Sequence, residues 1–98
     1  MSELFQEYRG IKERDGIVAA AVVEQGKVKA LSQITGGTAV FKRVRGGSMV
    51  LSEILLHGET AKVGDYIVAE HFNTFRVIKK DFFEERYTLK GLLRDPVV

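Results

Sequence analysis

Cysteine is missing from the 98-residue chain, and this absence excludes several kinds of site. Disulfides, thiolate zinc sites, iron–sulfur clusters and cysteine nucleophiles all need the thiol, so we expect none of them. No apolar run approaches the roughly 20 residues that a membrane-spanning helix needs. The N-terminal sequence MSELFQEYRG has acidic residues and no long apolar stretch, which is unlike a signal peptide. We therefore expect a cytoplasmic protein without membrane contact.

Length and composition predict one modest globular core. A chain of 98 residues fits a single domain over residues 1–98. Hydrophobic residues make up 45% and charged residues 29%, the balance of an ordinary globular protein. A core of this size leaves little room for a deep active site.

Positive charge is concentrated in the middle of the chain. Residues 27–52 contain no acidic side chain and five basic ones: Lys27, Lys29, Lys42, Arg43 and Arg45. The segments before and after carry net charges of −2 and −1, so the chain as a whole has a net charge of +2. The middle segment is therefore the clearest electrostatic feature of the sequence.

The first half of the chain predicts a helix followed by hairpins. Leu4, Phe5, Tyr8 and Ile11 follow Ser2 at helical spacing, which predicts a helix within residues 1–16. Residues 17–24 and 27–34 then predict two strands of a hairpin, with a tight turn at residues 25–26. A loop at residues 35–38 and a strand at 39–45 come next. Residues 49–56 fit a buried strand or a short helix, and residues 57–60 fit a turn.

The last third predicts a hairpin and a closing helix. Residues 66–71 and 75–79 are predicted strands. Asp81 with Glu84 fits a capping box at the start of a helix, and Phe83 and Tyr87 share one face of it. The whole pattern predicts an α+β domain with one small, mostly antiparallel sheet of about five strands in hairpins. We divide it into an N-terminal helix (1–16), a β-rich core (17–80), and a helix with a tail (81–98).

Two segments of this last third carry a family resemblance. They read Gly64-Asp65-Tyr66-Ile67-Val68 and Asp81-Phe82-Phe83-Glu84-Glu85-Arg86-Tyr87. With them, about half of the chain resembles a family of small proteins of tailed phages and prophages. Members of that family combine a Gly-Asp-aromatic-Ile-Val hairpin with a closing Asp-x-Phe-Glu-x-x-Tyr segment. The resemblance implies a phage-type protein and implies no activity.

The motif positions have a structural interpretation. Glycine permits the turn, Asp65 can accept hydrogen bonds from nearby backbone amides, and Tyr66 and Phe83 can pack across the hairpin. We therefore expect architecture at seven motif positions: Gly64, Asp65, Tyr66, Asp81, Phe83, Glu84 and Tyr87.

The basic segment 42–48 is the candidate binding site. Cations, two glycines that let a phosphate approach the backbone, and a hydroxyl donor are the groups that bind anions or nucleic acid. The candidate residues are Lys42, Arg43, Arg45, Gly46, Gly47 and Ser48. The alternative interpretation is a solvated strand and turn. The glycine spacing matches neither a Walker nor a Rossmann motif.

Catalytic and metal sites have weaker signals. The order Ser48, Gly64 to Val68, then Lys79 or Lys80 is similar to that of LexA-type and signal-peptidase-type hydrolases, which pair a serine nucleophile with a buried lysine base. Two adjacent lysines are expected to be exposed, however, and an exposed lysine stays protonated. His57 and His71 lack metal-ligand spacing. We therefore predict no catalytic residue, no metal and no cofactor.

These observations rank three hypotheses. The first is a non-catalytic phage-type protein that binds another macromolecule, for example to inhibit a host or defence protein; small size and the absence of a catalytic constellation motivate it. The second is binding of nucleic acid or a phosphorylated ligand through segment 42–48. The third is a serine–lysine hydrolase. Exposed strand edges also make a homodimer possible.

Overall fold

The computed structural model describes residues 4–12, 16–70 and 74–89. These residues form an α+β domain of eight strands, all paired antiparallel, and two α-helices. The strands are β1 (Gln6–Gly10), β2 (Ile17–Val22), β3 (Thr38–Arg43), β4 (Met49–Leu56), β5 (Glu59–Lys62), β6 (Tyr66–Ala69), β7 (Phe75–Ile78) and β8 (Tyr87–Leu89). The helices are α1 (Val28–Thr35) and α2 (Lys80–Arg86).

The strands form two sheets where the sequence predicts one. The larger sheet has five strands in the order β7-β6-β2-β1-β8, and the smaller has three in the order β3-β4-β5. β5 was missed because its first residues were assigned to the turn at 57–60. That turn is shorter and centres on His57 and Gly58, which both have positive φ. The strand interpretation of residues 49–56 is confirmed as β4.

The predicted N-terminal helix is wrong, because Gln6–Gly10 is strand β1. β1 lies between β2 and β8 in the larger sheet, with Tyr8 opposite Val18 on one side and Leu89 on the other. Tyr8 and Gly10 are buried and Arg9 is exposed, which is the alternation of a strand. Pairing with the next strand, β2, and with β8, which is distant in sequence, overrides the weak helical spacing.

The predicted strand at residues 27–34 is also wrong, because this segment forms α1. The buried positions are Val28, Leu31, Ser32 and Thr35, which follow the spacing of one helical face. A short 3-10 turn at Gln25–Lys27 replaces the predicted tight turn. Gly36 then ends the helix in the left-handed conformation, and its N–H donates to the carbonyl of Ser32.

Two hydrophobic clusters cover the two faces of the larger sheet. The first joins β2 and β6 to α1 and the smaller sheet: Ala21, Val23, Val28, Leu31, Ile54, Leu56, Ala61 and Ile67. The second joins the larger sheet to α2: Tyr8, Ala20, Tyr66, Val68 and Phe83. β2 and β6 are therefore buried on both faces, which explains their apolar sequences. Within the described residues, no helix is long and apolar enough to cross a membrane.

Candidate functional site

Segment 42–48 lies in a hairpin that extends beyond the packed body of the protein. β3 and β4 pair as far as Arg43 and Met49, and the Val44 N–H donates to the Ser48 carbonyl at 2.8 Å. Every residue from 41 to 49 is exposed, whereas the residues next to this stretch, Ala39 and Val40 on β3 and residues 50–54 on β4, are at least partly covered. We call residues 41–49 the arm. The arm contains all six residues predicted as a binding site.

The two glycines at the tip of the arm are explained by the turn itself. Gly46 and Gly47 have φ values of 95° and 88°, which side chains disfavour. The Gly47 N–H donates to the Val44 carbonyl at 3.0 Å and closes the turn. A Cβ atom built on either glycine would lie in open space, so no close contact within the chain requires them.

The cations of the arm have no carboxylate partner among the described residues. Among the described residues, ion pairs join Lys27, Arg76, Lys79 and Lys80 to acidic side chains. Lys42, Arg43 and Arg45 form none. The Arg43 Nη1 donates instead to the Gly47 carbonyl at 3.3 Å, across the hairpin. Three positive charges are thus available to an anion from outside.

Apolar side chains accompany these charges. Strand register places Phe41, Arg43 and Met49 on one face of the arm, and Lys42 and Val50 on the other. The side chains of Phe41 and Met49 are 58% and 49% exposed. The six residues predicted as a binding site do not include Phe41. Phe41 directly precedes the cations of the arm in the sequence, but its exposure is visible only in the structure.

A β-bulge marks the base of the arm. Val40 pairs with Glu53 and Phe41 with Leu51, so Ser52 has no partner on β3. Such a bulge bends a hairpin and increases its twist. The Gln25 side-chain amide donates to the Leu51 carbonyl at 2.7 Å and ties this base to the segment that precedes α1. The arm therefore projects from an anchored base.

The motif residues lie elsewhere, and Asp65 is the centre of a hydrogen-bond network there. Its carboxylate is buried and accepts the backbone N–H groups of Lys62 at 3.0 Å and Lys80 at 3.1 Å, and the Lys79 amine at 3.3 Å. The predicted role for Asp65 as an acceptor of backbone amides is thus confirmed. The predicted capping box is wrong, because Asp81 lies inside α2 and the N-cap position, Lys79, has no side-chain capping bond. The Asp65 carboxylate caps α2 instead, because it accepts the backbone N–H of Lys80, the first residue of the helix. Asp65 lies in the turn before β6, where Gly64 has a φ of 103°.

The motif aromatics form a stack. The centroid of the Phe83 ring lies 4.1 Å from that of Tyr66 and 4.8 Å from that of Tyr87, and both pairs are stacked. Phe83 and Tyr8 form an edge-to-face contact with their ring centroids 5.0 Å apart. The predicted packing of Tyr66 against Phe83 is therefore confirmed. Phe83 is fully buried, whereas the neighbouring Phe82 lies exposed beneath the Arg86 guanidinium.

Glu84 connects this stack to the surface. Its carboxylate accepts the Tyr66 hydroxyl at 2.8 Å and the Lys80 amine at 2.7 Å. Burial, followed by the bond to Glu84, raises the pKa of Tyr66. The hydrogen bonds from Lys80 and Tyr66 lower the pKa of Glu84, because both donors stabilise the ionised carboxylate. The hydrogen bond to Glu84 raises the pKa of Lys80.

The serine–lysine hypothesis gains no support from this geometry. Ser48 lies at the exposed tip of the arm. Lys79 donates to Asp65 and to the Thr60 carbonyl, and Lys80 donates to Glu84. A raised pKa at Lys80 is the opposite of what a lysine base needs. His71 lies outside the described residues, and those described contain no group of three or more potential metal-ligating side chains.

The chain matches no protein-family model, and comparisons with curated proteins and with solved structures give no match either. The phage-type family resemblance therefore stays a prediction from the segments 64–68 and 81–87.

Proposed function

We propose that this chain is a non-catalytic binding protein that contacts nucleic acid through the arm. The single observation that carries the proposal is the arrangement of Lys42, Arg43 and Arg45: three cations on an exposed hairpin, none paired with a carboxylate. Phosphates bind such groups and release counterions when they do. A two-stranded β-ribbon is also narrow enough to approach nucleic-acid grooves or a single strand.

Charge reversal in the arm tests the proposal. Binding of a fluorescein-labelled DNA oligonucleotide is measured by anisotropy at low salt for the wild type, Arg43→Glu and Arg45→Glu. Each arm variant is expected to lower the affinity about tenfold or more, the loss of a charge-assisted contact of roughly 1.5 kcal/mol.

Lys29→Glu is the matched control, since Lys29 is exposed on α1, has no ion pair in the described structure and undergoes the same change of charge. Its affinity is expected to stay within about threefold of the wild type. Equal losses in the arm and control variants would indicate attraction by net charge alone, and the arm would not be the site.

A protein partner is the second candidate, and the exposed apolar side chains of the arm favour it. Phe41, Val44 and Met49 together offer the kind of anchor that protein interfaces bury. For this candidate we propose a host or defence protein as the partner, inhibited by occupation of its surface, on the analogy of small phage proteins.

A pull-down from bacterial lysate, with and without nuclease, separates the two candidates. One nuclease-resistant protein, retained at high salt and lost with Phe41→Ala, would support the second. Recovery of nucleic acid, with proteins that disappear after nuclease treatment, would support the first.

A further inference from the structure

Phe41 is set apart from the other aromatic residues of the described chain. Seven of these contact another ring or a guanidinium: Phe5, Tyr8, Tyr66, Phe75, Phe82, Phe83 and Tyr87. Phe41 has no such contact, and its side chain is 58% exposed. Binding of phosphates by the cations of the arm does not account for a ring in this position.

The surroundings of Phe41 are those of a stacking site. Arg43 and Met49 lie on the same face of the arm, directly opposite each other across the hairpin. Residues two apart on a strand are separated by about 6.6 Å, so the Arg43 guanidinium lies within reach of a phosphate next to a base stacked on Phe41. Met49 extends the apolar surface beside the ring.

We infer that this face of the arm binds unpaired bases, so that the ligand is single-stranded DNA or RNA with one base stacked on Phe41. The inference rests on the proposed nucleic-acid function and adds the class of ligand. In a duplex the base faces are covered by neighbouring bases, and the grooves present base edges and phosphates. A duplex would therefore engage the cations and leave the ring unused, whereas every unpaired base offers a face to an aromatic side chain.

The chain has no tryptophan, so Phe41→Trp introduces a single tryptophan at the proposed contact, whose emission is excited selectively over that of the tyrosines. A short single-stranded DNA oligonucleotide is expected to quench its emission, because a stacked base contacts the indole directly. The same strand annealed to its complement is expected to leave the emission unchanged. Leu55→Trp is the control, since Leu55 is an exposed apolar residue of β4 outside the arm, and neither ligand should quench it.

Phe41→Leu supplies the affinity test. It keeps an apolar group at an exposed position, and a circular-dichroism spectrum checks that the fold is retained. Affinity for the single strand is expected to fall by about fivefold or more, the lower end of the loss seen when stacking aromatic residues are replaced. Affinity for the duplex is expected to stay the same.

The outcomes separate this inference from the function on which it rests. Equal affinity for single strand and duplex, with no effect of Phe41→Leu on either, overturns the stacking inference and leaves a nucleic-acid-binding arm. Quenching of Phe41→Trp by the duplex as strongly as by the single strand also overturns it. Failure of the wild type to bind either ligand at low salt overturns the proposed function as well.

Discussion

Asp65→Ala is expected to destabilise the domain by about 2–4 kcal/mol. Removing the carboxylate leaves the Lys80 N–H at the start of α2 without its acceptor, which is equivalent to losing an N-cap and costs about 1 kcal/mol. The partly buried Lys62 N–H also loses its partner, at about 1–2 kcal/mol. Because the Lys79 side chain is 64% exposed, its ion pair with Asp65 adds less than about 1 kcal/mol.

Urea unfolding followed by far-ultraviolet circular dichroism measures this change. A domain of this size has a total stability of about 5–15 kcal/mol, so the loss is a large fraction, and the Tm should fall by about 10 °C or more. Asp81→Ala is the control: Asp81 is exposed and caps nothing, so its effect should stay within about 0.5 kcal/mol. If both variants are equally stable, the argument that Asp65 holds α2 to the turn is wrong.

Three further predictions concern the body of the protein. Phe83→Ala removes a fully buried ring and should cost about 3–5 kcal/mol in urea unfolding, whereas Phe82→Ala, at an exposed position, should cost about 1 kcal/mol or less. Gly37→Ala should lower the Tm by an amount corresponding to about 1–3 kcal/mol, because the added Cβ would lie 2.8 Å from the backbone oxygen of Leu55; a variant of unchanged Tm would refute that contact. Folding lowers the pKa of Glu84 from its usual 4.5, so its stabilising contribution is present above that pH and is lost as the pH falls through the lowered value. Glu84→Gln should therefore reduce the loss of stability on acidification, and an identical acid profile in both proteins would contradict it.

Local sequence signals predicted the β6–β7 hairpin and α2 because their causes are local. β-branched runs bounded by turn residues indicated the β6–β7 hairpin. The apolar runs of β2 and β4 indicated strands in the same way. β1 and α1 were predicted in the wrong class because tertiary contacts decide them. Tyr8 is buried between β2 and β8 and against Phe83 of α2, and β8 and α2 are distant in sequence. The apolar alternation at residues 27–34 also fits a helical face. The division into two sheets depends on long-range packing that no local pattern encodes.

The basic residues of the candidate site were predictable from the sequence, but their separation from carboxylates and the exposure of Phe41 were not. The lack of acidic residues around Lys42, Arg43 and Arg45 is visible in the sequence. Their isolation from carboxylates across the whole described fold is not, because it depends on where distant acidic side chains lie. No sequence pattern distinguishes Phe41, which is exposed, from the buried Phe83. Both residues have apolar and charged neighbours in the sequence, and only the tertiary packing makes one ring exposed and the other buried.

The salt dependence of oligonucleotide binding tests the central claim most directly. Neutralisation of three phosphates of a single strand by the arm should give a slope of about −2 in a plot of log affinity against log salt concentration. Arg43→Glu removes one phosphate contact and should make this slope shallower by about 0.7. Lys29→Glu should leave it unchanged. An affinity that stays flat across the titration, or a slope that falls equally in both variants, would contradict nucleic-acid binding by the arm.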